Sequence, residues 1–308
     1  MKNYSKLFLF YMLGLNFVTA QIFTETEIVI NQHIEGTLLT PSDTESTPLI
    51  IFIGGSGPTD RDGNQSFMKN DMLKKLAVNL SNNGISTFRY DKRIVKQIRT
   101  NTIDKNISFD DFVIDAKSVI DYFAPNYKTI VIAGHSQGSL VGLLALDQNT
   151  SGFISLAGAG KTIDQILIEQ ISKTAPMFLN ESKRVIAVLK AGKTTNDYPV
   201  ALSSIFNLEV QAFMANWMQY DPVEEMRKQS IRSLIINGDK DLQVGIPEAE
   251  LLYSAATKGE LVVVKKMNHI LVKIEGDDLE NMKSYNQSEI DLAEEVTDSI
   301  LAFVISLN

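Results

Sequence analysis

The sequence predicts an α/β fold: a mainly parallel, doubly wound sheet that carries one helical insertion. Three observations lead there. Short apolar runs rich in β-branched and aromatic residues alternate with longer stretches of helical periodicity, the order that packs helices on both faces of a parallel sheet. One of those runs, Leu-Ile-Ile-Phe-Ile at 49–53, has no polar residue, as expected of a central strand buried on both faces. Between the runs near 157 and 233 lie about 75 residues without a strand-like run, where a crossover needs only a dozen or so.

The elements follow in order. Residues 24–39 alternate apolar and polar and predict an opening strand pair around Gly36, and 43–48 read as a turn. After the 49–53 strand, residues 54–64 (GGSGPTDRDGN) form a long loop with strong turn chemistry. Residues 68–82 fit an amphipathic helix ended by Asn83-Gly84, 85–90 the next strand, 108–123 a helix and 129–134 a strand. Runs at 152–158, 233–238 and 260–266 continue the series. Residues 290–306 close it with a helix bearing Ile290, Leu292, Ala293, Val296, Ile300, Phe303 and Val304 on one side. The insertion, about 159–230, is rich in helix formers and in Met, Phe, Trp and Tyr, and reads as a helical lid. Most of its apolar residues are expected to pack onto the core and a few to line a pocket.

Length and composition agree with a single domain over 21–308. A chain of 308 residues, 44% hydrophobic and 21% charged, can bury a full core. The net charge of −8, with no basic stripe, argues against a nucleic-acid partner and against anionic membrane surfaces. The first twenty residues differ from the rest. A basic start with Lys2 and Lys6 precedes an apolar run of about twelve residues, and Val18-Thr19-Ala20 before Gln21 has the small-x-small form of a cleavage site. That run is shorter than the roughly 20 residues that span a bilayer. The expectation is a signal peptide over 1–20, a secreted or periplasmic location, and no stable membrane insertion. With no cysteine there is no disulfide, thiolate nucleophile or cysteine-ligated zinc. Three scattered histidines give no ligand spacing, and no Gly-x-Gly-x-x-Gly or phosphate-loop pattern follows a strand, so no metal and no cofactor are expected.

Gly134-His135-Ser136-Gln137-Gly138 closes an apolar strand and opens a helical stretch. Gly-x-Ser-x-Gly at such a turn is the nucleophile elbow, in which flanking glycines let the backbone turn sharply and the serine hydroxyl projects from the sheet. A serine hydroxyl is a poor nucleophile near neutral pH and needs a base. His269 follows the last strand, whereas His33 lies in the opening strand pair and His135 adjoins the serine with its side chain pointing elsewhere. The base needs a carboxylate to fix its tautomer, and Asp241, in the loop after the 233–238 strand, is best placed, with Asp239 the near competitor. A developing oxyanion needs fixed N–H donors. The backbone N–H of Gln137, just after the serine, is one; the glycine loop after 49–53 supplies the other, with Ser56 first choice and Gly55 or Gly57 one residue away. Asp60, Arg61, Arg89 and Arg93 read as structural ion pairs in loops.

These stretches together resemble the α/β-hydrolase superfamily, and more narrowly the bacterial esterases grouped with serine aminopeptidase-type hydrolases. The matching segments are 54–64, FRYDKR (88–93), GHSQGSL (134–140), WMQYDP (217–222), INGDKDLQV (236–244) and MNHIL (267–271), spread over about 48–306. The resemblance implies an α/β-hydrolase fold, a Ser-Asp-His triad on Ser136, Asp241 and His269, and a small-molecule ester as substrate. The chain departs from the family's pattern at Ile94, Gln137 and Ser139, where the family more often has glycine, a small or acidic residue, and glycine. The expected function is an exported serine hydrolase that cleaves carboxylic esters through an acyl-enzyme on Ser136. A serine aminopeptidase or amidase is the alternative, and a non-catalytic binding protein on the same fold the third reading.

Overall fold

The structure, a computed structural model, describes residues 22–42 and 47–307; the expected signal peptide and most of the turn expected at 43–48 fall outside them. Eight strands form one sheet: β1 (Phe23–Val29), β2 (Glu35–Pro41), β3 (Leu49–Ile53), β4 (Ser86–Tyr90), β5 (Ile130–His135), β6 (Gly152–Leu156), β7 (Arg232–Gly238) and β8 (Lys258–Val264). Their spatial order is β1-β2-β4-β3-β5-β6-β7-β8. β1, β2 and β4 pair antiparallel, and every later pair is parallel.

Twelve α-helices accompany the sheet among the described residues. They are α1 (Met72–Asn82), α2 (Arg93–Thr100), α3 (Phe109–Phe123), α4 (Gln137–Ala145), α5 (Ile163–Thr174), α6 (Leu179–Lys190), α7 (Ser203–Phe206), α8 (Leu208–Trp217), α9 (Pro222–Arg227), α10 (Ile246–Ala255), α11 (Asp278–Ser284) and α12 (Glu294–Ile305). Side chains of a strand alternate between faces, and the two layers of core show it. Ile50 and Phe52 pack with α1 and α12 on one face, while Leu49, Ile51 and Ile53 pack with α3, α4 and α10 on the other. Each fully buried side chain of this size contributes about 1.5–3 kcal/mol. The connection from β6 to β7 is helical, α5 to α9, and has a small core of its own around Leu167, Val185, Ile186, Phe206 and Met214.

Several boundaries differ from the sequence expectation. The opening strand pair turns at 30–34, where the Asn31 side chain accepts the N–H groups of His33 and Ile34, and not at Gly36. Gly36 lies within β2, where a Cβ would meet the Arg89 carbonyl at 2.5 Å. The closing helix begins at Glu294; the segment before it is held extended, with Leu292 bridged to Val272 and the Ala293 N–H donating to Leu271. The acidic stretch after Ile274 contains α11, whose Asn281 and Ser284 are buried.

Candidate active site

β5 ends at His135 and α4 begins at Gln137, so Ser136 is the whole of the turn between them. Its backbone sits at φ 53° and ψ −120°, a conformation that costs a non-glycine residue about 1–3 kcal/mol. The surroundings hold it there. The Ser136 N–H donates to the Leu156 carbonyl at 2.9 Å, and the Ser139 N–H to the Ser136 carbonyl at 3.0 Å. The flanking glycines are required by contact. A Cβ on Gly134 would lie 2.1 Å from the Gly138 carbonyl oxygen, and one on Gly138 2.3 Å from that of Ile53. The start of α4 is thus pressed bare against the end of β3.

His269 stands in the loop after β8, in a buried position. Its Nδ1 and the Asp241 Oδ2 are 2.7 Å apart, and the Asp241 side chain is fully buried. A carboxylate only accepts, so Nδ1 carries the proton, and in the neutral ring Nε2 is the acceptor. The other Asp241 oxygen accepts the N–H groups of Gln243 and Val244 at 2.8 and 2.9 Å. Asp239 turns the other way and accepts the Lys266 N–H. The two loops are also braced. Asn268, fully buried, donates to Asn281 and Ser284 of α11, and Asn281 donates to the Lys240 carbonyl at 2.7 Å. Ser136 and His269 are not hydrogen-bonded to each other in this structure, but both face one cavity of about 410 Å³, bordered also by Gln65, Gln243 and Tyr285. Catalytic contacts are often loose in a free enzyme and tighten around substrate.

A second cavity, about 550 Å³, meets Ser136 from the side of the insertion. Phe112, Leu140, Leu167, Phe213 and Trp217 give it an apolar wall, and Ser56 and Gln137 stand at its base. Among the described residues neither the Ser56 nor the Gln137 backbone N–H donates to another protein group. The Ser56 carbonyl accepts from Thr59 at 2.9 Å and from Gln65 at 2.8 Å, which sets the loop. Asp60 stabilises the following turn by accepting the N–H groups of Asp62 and Asn64. Arg61 pairs with Asp91 and Glu27, Arg89 with Asp62, and Arg93 with Asp111 and Asp115, so all three arginines are structural. Among the described residues no group of three His, Asp or Glu side chains could hold a metal ion.

The sequence reading missed the contacts of two residues near the site. His135 does point away from the serine, yet its Nε2 donates to the backbone carbonyl of His269 at 2.8 Å, and the two rings lie 4.8 Å apart. Burial, and then the neighbouring His269, bring His135 down to about 3, so it is neutral. Lys92, 5% exposed at the start of α2, donates to the Gly55 carbonyl at 2.9 Å and to Gln137 Oε1 at 2.7 Å, with its Nζ 4.2 Å from the Phe112 ring centre. No carboxylate pairs with it among the described residues, and burial brings its ammonium down to about 7. Both depend on contacts between segments distant in the chain, and no local pattern announces them.

No family model matches the chain. It is 23% identical over 273 residues to esterase EstD of Thermotoga maritima, covering 85% of this chain and 63% of that protein. The chain therefore spans less than two thirds of that relative's length. Among solved structures it is similar to the α/β-hydrolase GrgF from a Penicillium species, with a TM-score of 0.55 and 14% identity over 92% of this chain and 98% of that one. A thermophilic esterase from Thermogutta terrifontis gives a TM-score of 0.53 and 15% identity, over 92% and 99%. The eight-stranded sheet, the elbow after β5 and these likenesses agree: the chain has the α/β-hydrolase fold.

Proposed function

We propose that this protein is a serine hydrolase of carboxylic esters. One observation carries the reading: Ser136, strained at the head of α4, shares a cavity with a histidine whose free Nε2 is set by a buried aspartate. His269 takes the hydroxyl proton as Ser136 Oγ attacks the ester carbonyl carbon. The tetrahedral oxyanion is held by the N–H groups of Gln137 and Ser56, each worth about 2.7–4 kcal/mol in the transition state. Collapse breaks the bond to the alcohol oxygen, which takes the proton from His269, and leaves an acyl-enzyme. Water, deprotonated by His269, attacks the acyl carbon and releases the acid. The similarity to esterase EstD supports esters over amides.

The two cavities divide the substrate. His269 must protonate the leaving oxygen, and it borders the 410 Å³ cavity but not the larger one. The alcohol part therefore lies with Gln65 and Tyr285, and the acyl part enters the apolar cavity under the insertion. Fluorophosphonate labelling with peptide mapping tests the core of this reading: wild type is labelled at Ser136 and Ser136→Ala is not. Folded protein that stays unlabelled at Ser136 overturns it. Faster turnover of aminoacyl anilides than of p-nitrophenyl esters would instead favour the amidase. Export with cleavage before Gln21 is proposed from the N-terminal segment alone; a chain that stays in the cytoplasm with Met1 still attached refutes it.

A further inference from the structure

We propose that Lys92 is the positioning residue of the oxyanion hole, one ammonium that clamps both halves of it and holds a positive charge behind them. The inference rests on the serine-hydrolase reading above. Its geometry starts from the peptide between Gly55 and Ser56. That unit is planar and trans, so its C=O and N–H point in opposite directions. Lys92 donates to the C=O at 2.9 Å, and the N–H on the other side is the free Ser56 donor. A cation on the oxygen fixes the plane and draws electron density from the N–H, which makes it a stronger donor. The second contact, 2.7 Å to Gln137 Oε1, holds the residue that carries the other free N–H. The third ammonium direction is met by the face of Phe112. Two of its three N–H groups are thus spent on the hole.

A buried lysine without a carboxylate is costly to retain, and every charged group around it is otherwise engaged. On its own segment Asp91 is taken by Arg61, and Arg93 by Asp111 and Asp115 of α3. On the 54–64 loop Asp62 pairs with Arg89, while Asp60 accepts backbone N–H groups. On the insertion side Lys161 pairs with Glu169 and Glu248, and Glu209 with Lys105. Behind the elbow His135 is neutral, and His269 pairs with Asp241. The charge on Lys92 is left unneutralised where a negative oxygen forms. It titrates near 7, so the transition state gains most below that pH and loses support as the pH rises through it.

The test compares wild type, Lys92→Met and Gln137→Glu by steady-state hydrolysis of a p-nitrophenyl ester and by fluorophosphonate labelling rate, each across pH 6 to 9. Removing an oxyanion donor outright costs about 10²–10³-fold in kcat, and loss of its support is expected to cost about tenfold or more with KM little changed. Wild type shows a descending limb near pH 7, and Lys92→Met loses it. Gln137→Glu, which places a carboxylate against the ammonium, moves the limb to higher pH. Should Lys92→Met not fold, wild type and Gln137→Glu still decide. A wild-type rate that does not fall above pH 7, a limb unmoved in Gln137→Glu, or a folded Lys92→Met with wild-type kcat overturns the proposal. Each of these requires labelling at Ser136; its absence in wild type strikes the hydrolase reading instead.

Discussion

In the proposed mechanism His135 takes no part in bond making, yet its ring holds the loop that carries the proposed base, His269. By donating to the His269 carbonyl at 2.8 Å it ties the β8 loop to the elbow, so that the two segments meet in register. Small displacements of a reacting group can cost about 10²-fold. His135→Phe keeps the ring and loses the donor, and is expected to lower kcat by about 10–100-fold with little change in KM; wild-type kcat in a folded variant refutes the anchoring role. The same residue predicts a pH dependence of stability. Burial first, and His269 second, hold His135 at about 3 when folded, against 6.5 unfolded. Between those values the unfolded chain binds the proton and the native one does not, so stability is full above 6.5 and falls as the pH drops toward 3. Urea midpoints measured from pH 7 to pH 4 should fall in wild type and less steeply in His135→Phe. Equal slopes would show that another group carries the loss.

At the scale of elements, what was legible follows from how each segment is stabilised. β3 is a continuous apolar run, and β5 and β7 carry one over 130–133 and 234–236, because both faces of the sheet are covered, and that composition announces itself. α11 does not, because its seven residues are held by the buried amides and hydroxyl of Asn268, Asn281 and Ser284, without apolar periodicity. Asp241 and His269 could be placed in order after β7 and β8, but their bond, and the contacts of Lys92 and His135, arise only where distant loops converge. The Gly134 and Gly138 flanks belong to both kinds of signal: a visible motif whose reason is a packing contact between α4, β5 and β3. Gly138→Ala would put a methyl 2.3 Å from the Ile53 carbonyl, so the β3–α4 crossing must spread. The expected cost is about 3 kcal/mol or more in urea denaturation, at the severe end for a single substitution. Less than about 1 kcal/mol would mean that the elbow yields more easily than its contacts imply.

Across the whole molecule the helical insertion meets the rest of the fold where α8 packs on α3. Trp217 stacks on Phe109 with centroids 5.4 Å apart and planes 6° from parallel, and Phe213 sets its edge against Phe112 at 5.6 Å. Asn216 and Tyr220 add hydrogen bonds to Asp110 at the start of α3. This seam is also a wall of the 550 Å³ cavity proposed to take the acyl chain, since Phe112, Phe213 and Trp217 all line it. If the acyl chain lies there as proposed, fold and substrate choice are coupled through the same aromatic contacts. Trp217→Ala removes the largest of these side chains, and being only part-buried it should cost less than the 3–5 kcal/mol of a fully buried tryptophan, about 1–3 kcal/mol. The cavity widens while Ser136, Asp241 and His269 keep their supports. Along a series of p-nitrophenyl esters from acetate to dodecanoate, the optimum in kcat/KM should shift to longer chains, with the acetate rate changed little. If the optimum stays where wild type has it, or if the acetate falls in parallel with the rest, the apolar cavity is not where the acyl chain lies.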